Sequence, residues 1–137
     1  MSVVVSVAKP KIVLITEIVD GGPGGAVSCP HCGSLGRWVT FFACEDGQKG
    51  GAMNGCIKLW PITPFAEKCR KLLLKQKQAI ATEGNQNSIK LNHWNMAQLD
   101  AIYRFSQDKI GLEEAIELIH QADRDKKGWM KKRGYCR

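Results

Sequence analysis

No stretch of this 137-residue chain is apolar over the length that a membrane-spanning helix needs. The N-terminus has no basic leader region, and Lys9, Pro10 and Lys11 interrupt its apolar run, so it does not read as a secretory signal. A reducing, intracellular (cytoplasmic) setting without a membrane partner is expected. No glycine-rich loop leads to a phosphate-binding lysine in a strand–loop–helix context, which excludes a nucleotide-cradling P-loop. No His-x-Glu precedes a Pro-Cys-x-x-Cys pair, so the zinc deaminase arrangement is missing. Asn92-His93-Trp94-Asn95 lacks the flanking acidic and histidine pattern of a His-Asn-His nuclease. Acidic residues are also in deficit, 13 against 20 basic, for a net charge of +7 and a pI near 9.2. That balance points to an anionic partner.

Cysteine is what the chain does have, six in all. Without a secretory signal, they read as metal ligands and buried thiols rather than three disulfides. Cys29-Pro30-His31-Cys32-Gly33 places two thiols two residues apart, and the glycine permits a tight turn that aims both at one ion. Cys44 and Cys56 follow in a span rich in strand formers and glycine. The set Cys29, Cys32, Cys44 and Cys56 suits one structural Zn2+, because soft thiolates fill its tetrahedral shell and leave no place for water. Cys69, His31 or His93 are alternatives to Cys56 as fourth ligand. Cys69 falls on the apolar face of a helix and reads as a core thiol, and Cys136 as a free one.

Residues 28–60 resemble the zinc-ribbon family, in which a Cys-Pro-x-Cys-Gly knuckle leads into a β-hairpin whose far end supplies the other thiols. The resemblance implies a zinc-held hairpin. It departs from the family at the second pair, since Cys44 and Cys56 are separated by eleven residues instead of a short spacing. Cys-Pro-His-Cys is also the sequence of thioredoxin-like disulfide oxidases. That chemistry needs the first thiol at a helix N-terminus, and Gly33-Ser34-Leu35-Gly36 does not start one.

Around the motif, Val3–Val7 and Ile12–Val19 are β-branched runs bounded by breakers and read as strands. Gly21–Gly25 is a turn or loop. Arg37–Ala43 is a strand into Cys44, Glu45-Asp46-Gly47 a turn, Gly50–Gly55 a pliant loop, and Ile57–Trp60 a returning strand. At Thr63 the character changes. Thr63 caps a helix, Pro64 suits its first position, and Phe65, Cys69, Leu72, Leu73 and Ile80 share one face. Thr82–Lys90 is a loop. Two further helices follow, one from Trp94 or Asn95 to Ser106 and one after Gly111. The expected fold class is α+β: a small antiparallel sheet with a zinc-ribbon-like hairpin, then about three helices. Residues 1–62 form a β-rich zinc-binding module, 63–125 a helical region, and 126–137 a basic aromatic tail.

Charge is concentrated in the second half, where fifteen basic residues face nine acidic ones from Glu67 onward. Lys68, Lys71 and Lys75 recur at i, i+3, i+7 along one side of the Thr63 helix, a row suited to several phosphates. The tail offers Lys131, Lys132 and Arg133 as phosphate contacts and Trp129 or Tyr135 as a stacking base platform. Asn92–Asp123 forms an acidic helical pair between these basic segments. The reading that follows is a zinc-stabilised, non-catalytic nucleic-acid-binding accessory protein, for DNA more than RNA. The alternative is a protein-interaction module or an inhibitor of a nucleic-acid enzyme, acting through the acidic pair. A Cys-x-x-Cys redox or hydrolytic enzyme ranks below both.

Overall fold

The computed structural model describes residues 9–86 and 88–134. The Val3–Val7 strand, Tyr135 and Cys136 lie outside the described residues. The class is α+β, with two small antiparallel sheets and four helices among the described residues. The chain divides into two units between Glu67 and Lys68.

In the first unit, β1 (Ile12–Asp20), β4 (Trp38–Cys44) and β5 (Lys49–Met53) form one antiparallel sheet in the order β1-β4-β5. Ile12, Leu14, Ile15 and Ile18 are buried from β1, and Val39, Phe42 and Ala43 from the central strand β4. Val39 and Ala43 on one face of β4 and Thr40, Phe42 and Cys44 on the other are all buried, which fits its nearly continuous apolar run. The β4–β5 hairpin closes at Glu45-Asp46-Gly47, where Gly47 takes a φ of 87° and donates its N–H to the Cys44 carbonyl. Two short strands, β2 (Val27–Ser28) and β3 (Leu35–Gly36), pair as a separate hairpin that brackets the cysteine knuckle.

Two secondary-structure expectations fail in this unit. Lys49–Met53 is a strand rather than a loop: its glycines sit where bulky rings leave no room for a side chain. A Cβ at Gly51 would lie 2.8 Å from the Phe41 ring, and one at Gly50 would lie 3.1 Å from the Phe42 ring. The segment expected to return as a strand at Ile57–Trp60 instead begins as the end of a one-turn helix, α1 (Asn54–Ile57), and continues through a turn. With β5 already on that edge of β4, the place expected for Ile57–Trp60 is taken.

The chain then crosses back to β1. Ile12 donates its N–H to Pro61 O at 2.8 Å, and Thr63 donates to Ile12 O at 3.1 Å. Thr63 Oγ1 accepts the Ala66 N–H at 3.1 Å, capping α2 (Pro64–Ala81) as its sequence predicts.

The second unit holds the rest of α2 with α3 (His93–Ser106) and α4 (Leu112–Lys132). Asn92 caps α3, its Oδ1 accepting the Asn95 N–H at 2.7 Å. Leu99, Ile102 and Phe105 of α3 and Ala115, Ile119 and Ala122 of α4 are buried. Gln98 is buried among them and donates to Ile119 O and Asp123 Oδ1, both at 3.0 Å. The expected tail at residue 126 is no separate segment: α4 continues without interruption through Lys132.

Candidate metal centre and basic groove

Cys29 follows β2 directly, and its knuckle is a built turn. Cys29 donates its N–H to Ser34 O, and Gly33 donates back to Cys29 O, both at 2.8 Å. Gly33 closes the loop with a φ of 77°, a left-handed conformation that strains any residue with a Cβ. Pro30 lies over Gly51, within 3.0 Å of where a Cβ would stand, which seats the knuckle on the sheet.

At the end of β5 the chain enters α1, and α1 delivers Cys56. The sulfurs of Cys29, Cys32 and Cys56 lie within 4.8 Å of one another. Cys29 is buried, Cys56 half-buried and Cys32 exposed. Met53 donates its backbone N–H to Cys29 Sγ at 3.2 Å, and its own Sδ lies 3.9 Å from Cys32 Sγ. Burial pushes the Cys29 thiol up, but the N–H groups of Met53, Cys32 and His31 and the Cys32 side chain outweigh it and bring Cys29 down to about 7. Hydrogen bonding with Cys32, burial, and Cys29 hold the Cys56 thiol up to about 11. Backbone amides aimed at a buried sulfur stabilise a thiolate, the form that ligates metal. This donor set fits a thiophilic ion.

Cys44 is not part of the group, which corrects the four-cysteine set read from the sequence. Met53, the last residue of β5, pairs with Val39, whereas Cys44 lies at the other end of β4 beside the hairpin turn. Five residues of strand put the two about 16 Å apart. Burial, with Asp46 and Glu45 adding negative charge, also pushes the Cys44 thiol up, away from thiolate. The three-thiol cluster thus forms at the open end of the hairpin, not at its turn. Cys69 is buried in the second unit, and burial pushes its thiol up to about 12, as befits a core residue. His31 turns its ring edge toward Trp60, with centroids 5.1 Å apart. The knuckle leads into β3 and not into a helix, so the dipole that activates a redox Cys-x-x-Cys is missing.

In the second unit the structure brings together two basic segments that lie far apart in sequence. Lys68, Lys71 and Lys75 of α2 and Lys126 and Lys127 of α4 line one groove of about 440 Å³. Leu72, Trp94, Ile119 and Met130 give the groove an apolar lining. Lys68 pairs with Asp123, and Lys75 donates to Asn95 Oδ1 at 3.1 Å. Trp129 stands beside the groove, its ring 5.4 Å from that of Trp94 and covered by the Arg133 guanidinium at 5.1 Å. Lys131 and Lys132 are exposed in the last turn of α4 and do not line the groove. Sequence reading placed Lys126 and Lys127 in a separate basic tail and did not join them to the α2 lysines, and it missed Trp94 as a groove residue. A helical face predicts which residues align on one helix, not which helix faces it.

Among the described residues, no helix is long and apolar enough to cross a membrane. Comparison with known protein families, with curated proteins and with solved structures finds no match to this chain.

Proposed function

We propose that the chain is a zinc-stabilised nucleic-acid-binding protein that acts without catalysis. In this reading Cys29, Cys32 and Cys56 hold one Zn2+ that fixes the knuckle to the open end of the hairpin. Such an ion supplies folding free energy, because no preformed site exists in the unfolded chain. A small unit with a modest core gains most from that staple. Nucleic acid is taken by the second unit.

The observation that supports this reading best is the convergence of Lys68, Lys71, Lys75, Lys126 and Lys127 on one groove that also contains Trp94. Ammonium groups neutralise phosphates and release counterions, and an indole face stacks on bases of any identity. Trp129, Lys131, Lys132 and Arg133 extend the same cationic, aromatic surface toward the end of α4. Trp94 among the lysines suits unstacked bases, which favours single strands; DNA remains the preferred polymer.

The test is anisotropy of a labelled single-stranded oligonucleotide across a salt series. Log affinity should fall linearly with log salt, with a slope near −0.7 per phosphate contacted. Changing Lys71, Lys75, Lys126 and Lys127 to Gln should flatten that slope. Salt-independent binding, or a slope unchanged in the variant, overturns the groove as the site.

A second reading, a protein-interaction module, rests on α3. Met96, Asp100 and Tyr103 recur at i, i+4, i+7, and all three are exposed, Met96 by 61% and Tyr103 by 60%. A partner bound there would be retained after Lys71, Lys75, Lys126 and Lys127 are neutralised, and would be lost in Met96→Ala/Tyr103→Ala.

A further inference from the structure

We propose that the metal held by Cys29, Cys32 and Cys56 keeps one exchangeable coordination position, and that this position takes a neutral nitrogen donor of the imidazole class. The proposal rests on the metal-centre part of the function above and is independent of nucleic acid.

The cluster has three sulfurs within 4.8 Å of one another, and among the described residues no other Cys, His, Asp or Glu joins it. A closed structural zinc site takes four protein ligands; three protein ligands leave the fourth place to a molecule from outside. The local candidates for that place are otherwise engaged. Cys44 is separated by the length of β4. The His31 ring packs edge-on to Trp60, and the Trp60 ring packs in turn on Phe42 with centroids 5.1 Å apart. Met53 Sδ is near, 3.9 Å from Cys32 Sγ, but a thioether is a poor donor to Zn2+. Its role is that of an apolar wall. The same methionine's Cε stands 2.3 Å from where a Cβ of Gly36 would be, so the side chain is packed down on the β2–β3 hairpin.

Burial is graded across the three ligands. Cys29 is 1% exposed, Cys56 is half-buried and Cys32 is exposed. Solvent therefore reaches the cluster from the Cys32 side, and a ligand from outside has an approach there. Charge selects its class. Three thiolates around a divalent ion already leave a net charge of −1. A fourth anion would raise that to −2 beside a partly buried site, whereas water or an imidazole nitrogen adds none. Imidazole, the stronger neutral donor, displaces water. A histidine presented by a binding partner has the same chemistry, so the centre offers a docking point for one.

The experiment is cobalt substitution of the full chain with imidazole as the probe ligand. Co2+ should bind one per chain, with a charge-transfer band counting three thiolates. Its d–d envelope should shift saturably as imidazole is added. Cys44→Ser, Cys136→Ser and His31→Ala should each give the parent spectrum. A four-thiolate spectrum that imidazole does not move overturns the exchangeable position. So does a parent spectrum altered by Cys136→Ser or His31→Ala, since either makes the fourth ligand internal. Failure to bind Co2+, or binding undiminished in Cys29→Ser and Cys56→Ser, removes the metal centre itself and this proposal with it, while leaving the salt-dependence test of the groove unaffected.

Discussion

Met53 donates its backbone N–H to the sulfur of Cys29 at 3.2 Å, across 24 positions of the chain. This contact ties the end of β5 to the knuckle, and Cys56 follows three residues later on α1. The amide at the end of this strand thus donates to the Cys29 sulfur instead of to a strand carbonyl. The sheet register and the thiol cluster are consequently linked: Met53 pairs with Val39, and that pairing sets where α1 begins and where Cys56 arrives.

The three clustered thiols should differ sharply from Cys44 and Cys69, the two outside the cluster. Cys29→Ser or Cys56→Ser should abolish stoichiometric metal content and melt the first unit. Cys44→Ser should keep the metal and cost about 1–3 kcal/mol, because it buries a hydroxyl where a thiol packed. Metal analysis with thermal unfolding checks both. A Cys44→Ser protein that folds but holds no metal would restore Cys44 to the ligand set.

Metal affinity should depend on pH through Cys56. Its thiol, held up to about 11, carries a proton at neutral pH, and that proton must leave when metal binds. Cys29, at about 7, is already largely ionised above neutrality. Apparent affinity should therefore rise by about tenfold or more per pH unit between pH 7.5 and 9, one factor of ten for each proton released. Competition titration against a chelator of known pH dependence reads this directly. A flat profile is incompatible with a protonated Cys56.

Gly51→Ala should damage both the sheet and the metal site. Its Cβ would stand 2.8 Å from Phe41 Cδ1 and Cε1 and 3.0 Å from Pro30 Cγ, and Pro30 belongs to the knuckle. Overpacking of this kind costs about 1–3 kcal/mol. For a unit of this size that is a fall in melting temperature of roughly 4–8 °C per kcal/mol. Weaker metal binding should accompany it. Gly55→Ala, which meets no atom within 4 Å, is the matched control and should change neither.

Acid should loosen the second unit through Asp123. Burial pushes its carboxyl up, but the Lys68 ammonium and the Gln98 amide outweigh this and hold it below the ordinary carboxylate range. A lowered folded-state pKa means stability that is present above the unfolded value, near 3.9, and lost as pH falls through the folded one. Asp123→Asn should cost about 1 kcal/mol or less at neutral pH, since the Lys68 side chain is 61% exposed. The variant's stability should fall less between pH 5 and 2 than the parent's. An identical acid limb in chemical denaturation at each pH would show that the ion pair contributes nothing.

Local patterns were legible where one element decides them. The β-branched run of Ile12–Val19, the Thr63-Pro64 helix start, the Glu45-Asp46-Gly47 turn and the Cys29–Gly33 knuckle all form where the residues place them. Each depends on contacts within a few positions. Gly50 and Gly51 misled, because glycine signals a loop by its own freedom, yet here it makes space for Phe41 and Phe42 on a neighbouring strand.

Sequence alone determined that this chain builds a glycine-closed cysteine knuckle, a β-rich first part and a lysine-bearing helical second part, because spacing, capping and hydrophobic period act locally. Tertiary structure decided the rest. It chose Cys56 over Cys44 by pairing β5 with β4 so that Met53 lies opposite Val39, which carries Cys56 to the knuckle and leaves Cys44 at the far turn. It also turned lysines on α2 and α4 toward a single groove beside Trp94. Both outcomes are fixed by register and packing between distant segments, and no one-dimensional spacing encodes the distance between two strands' ends or the face that one helix shows another.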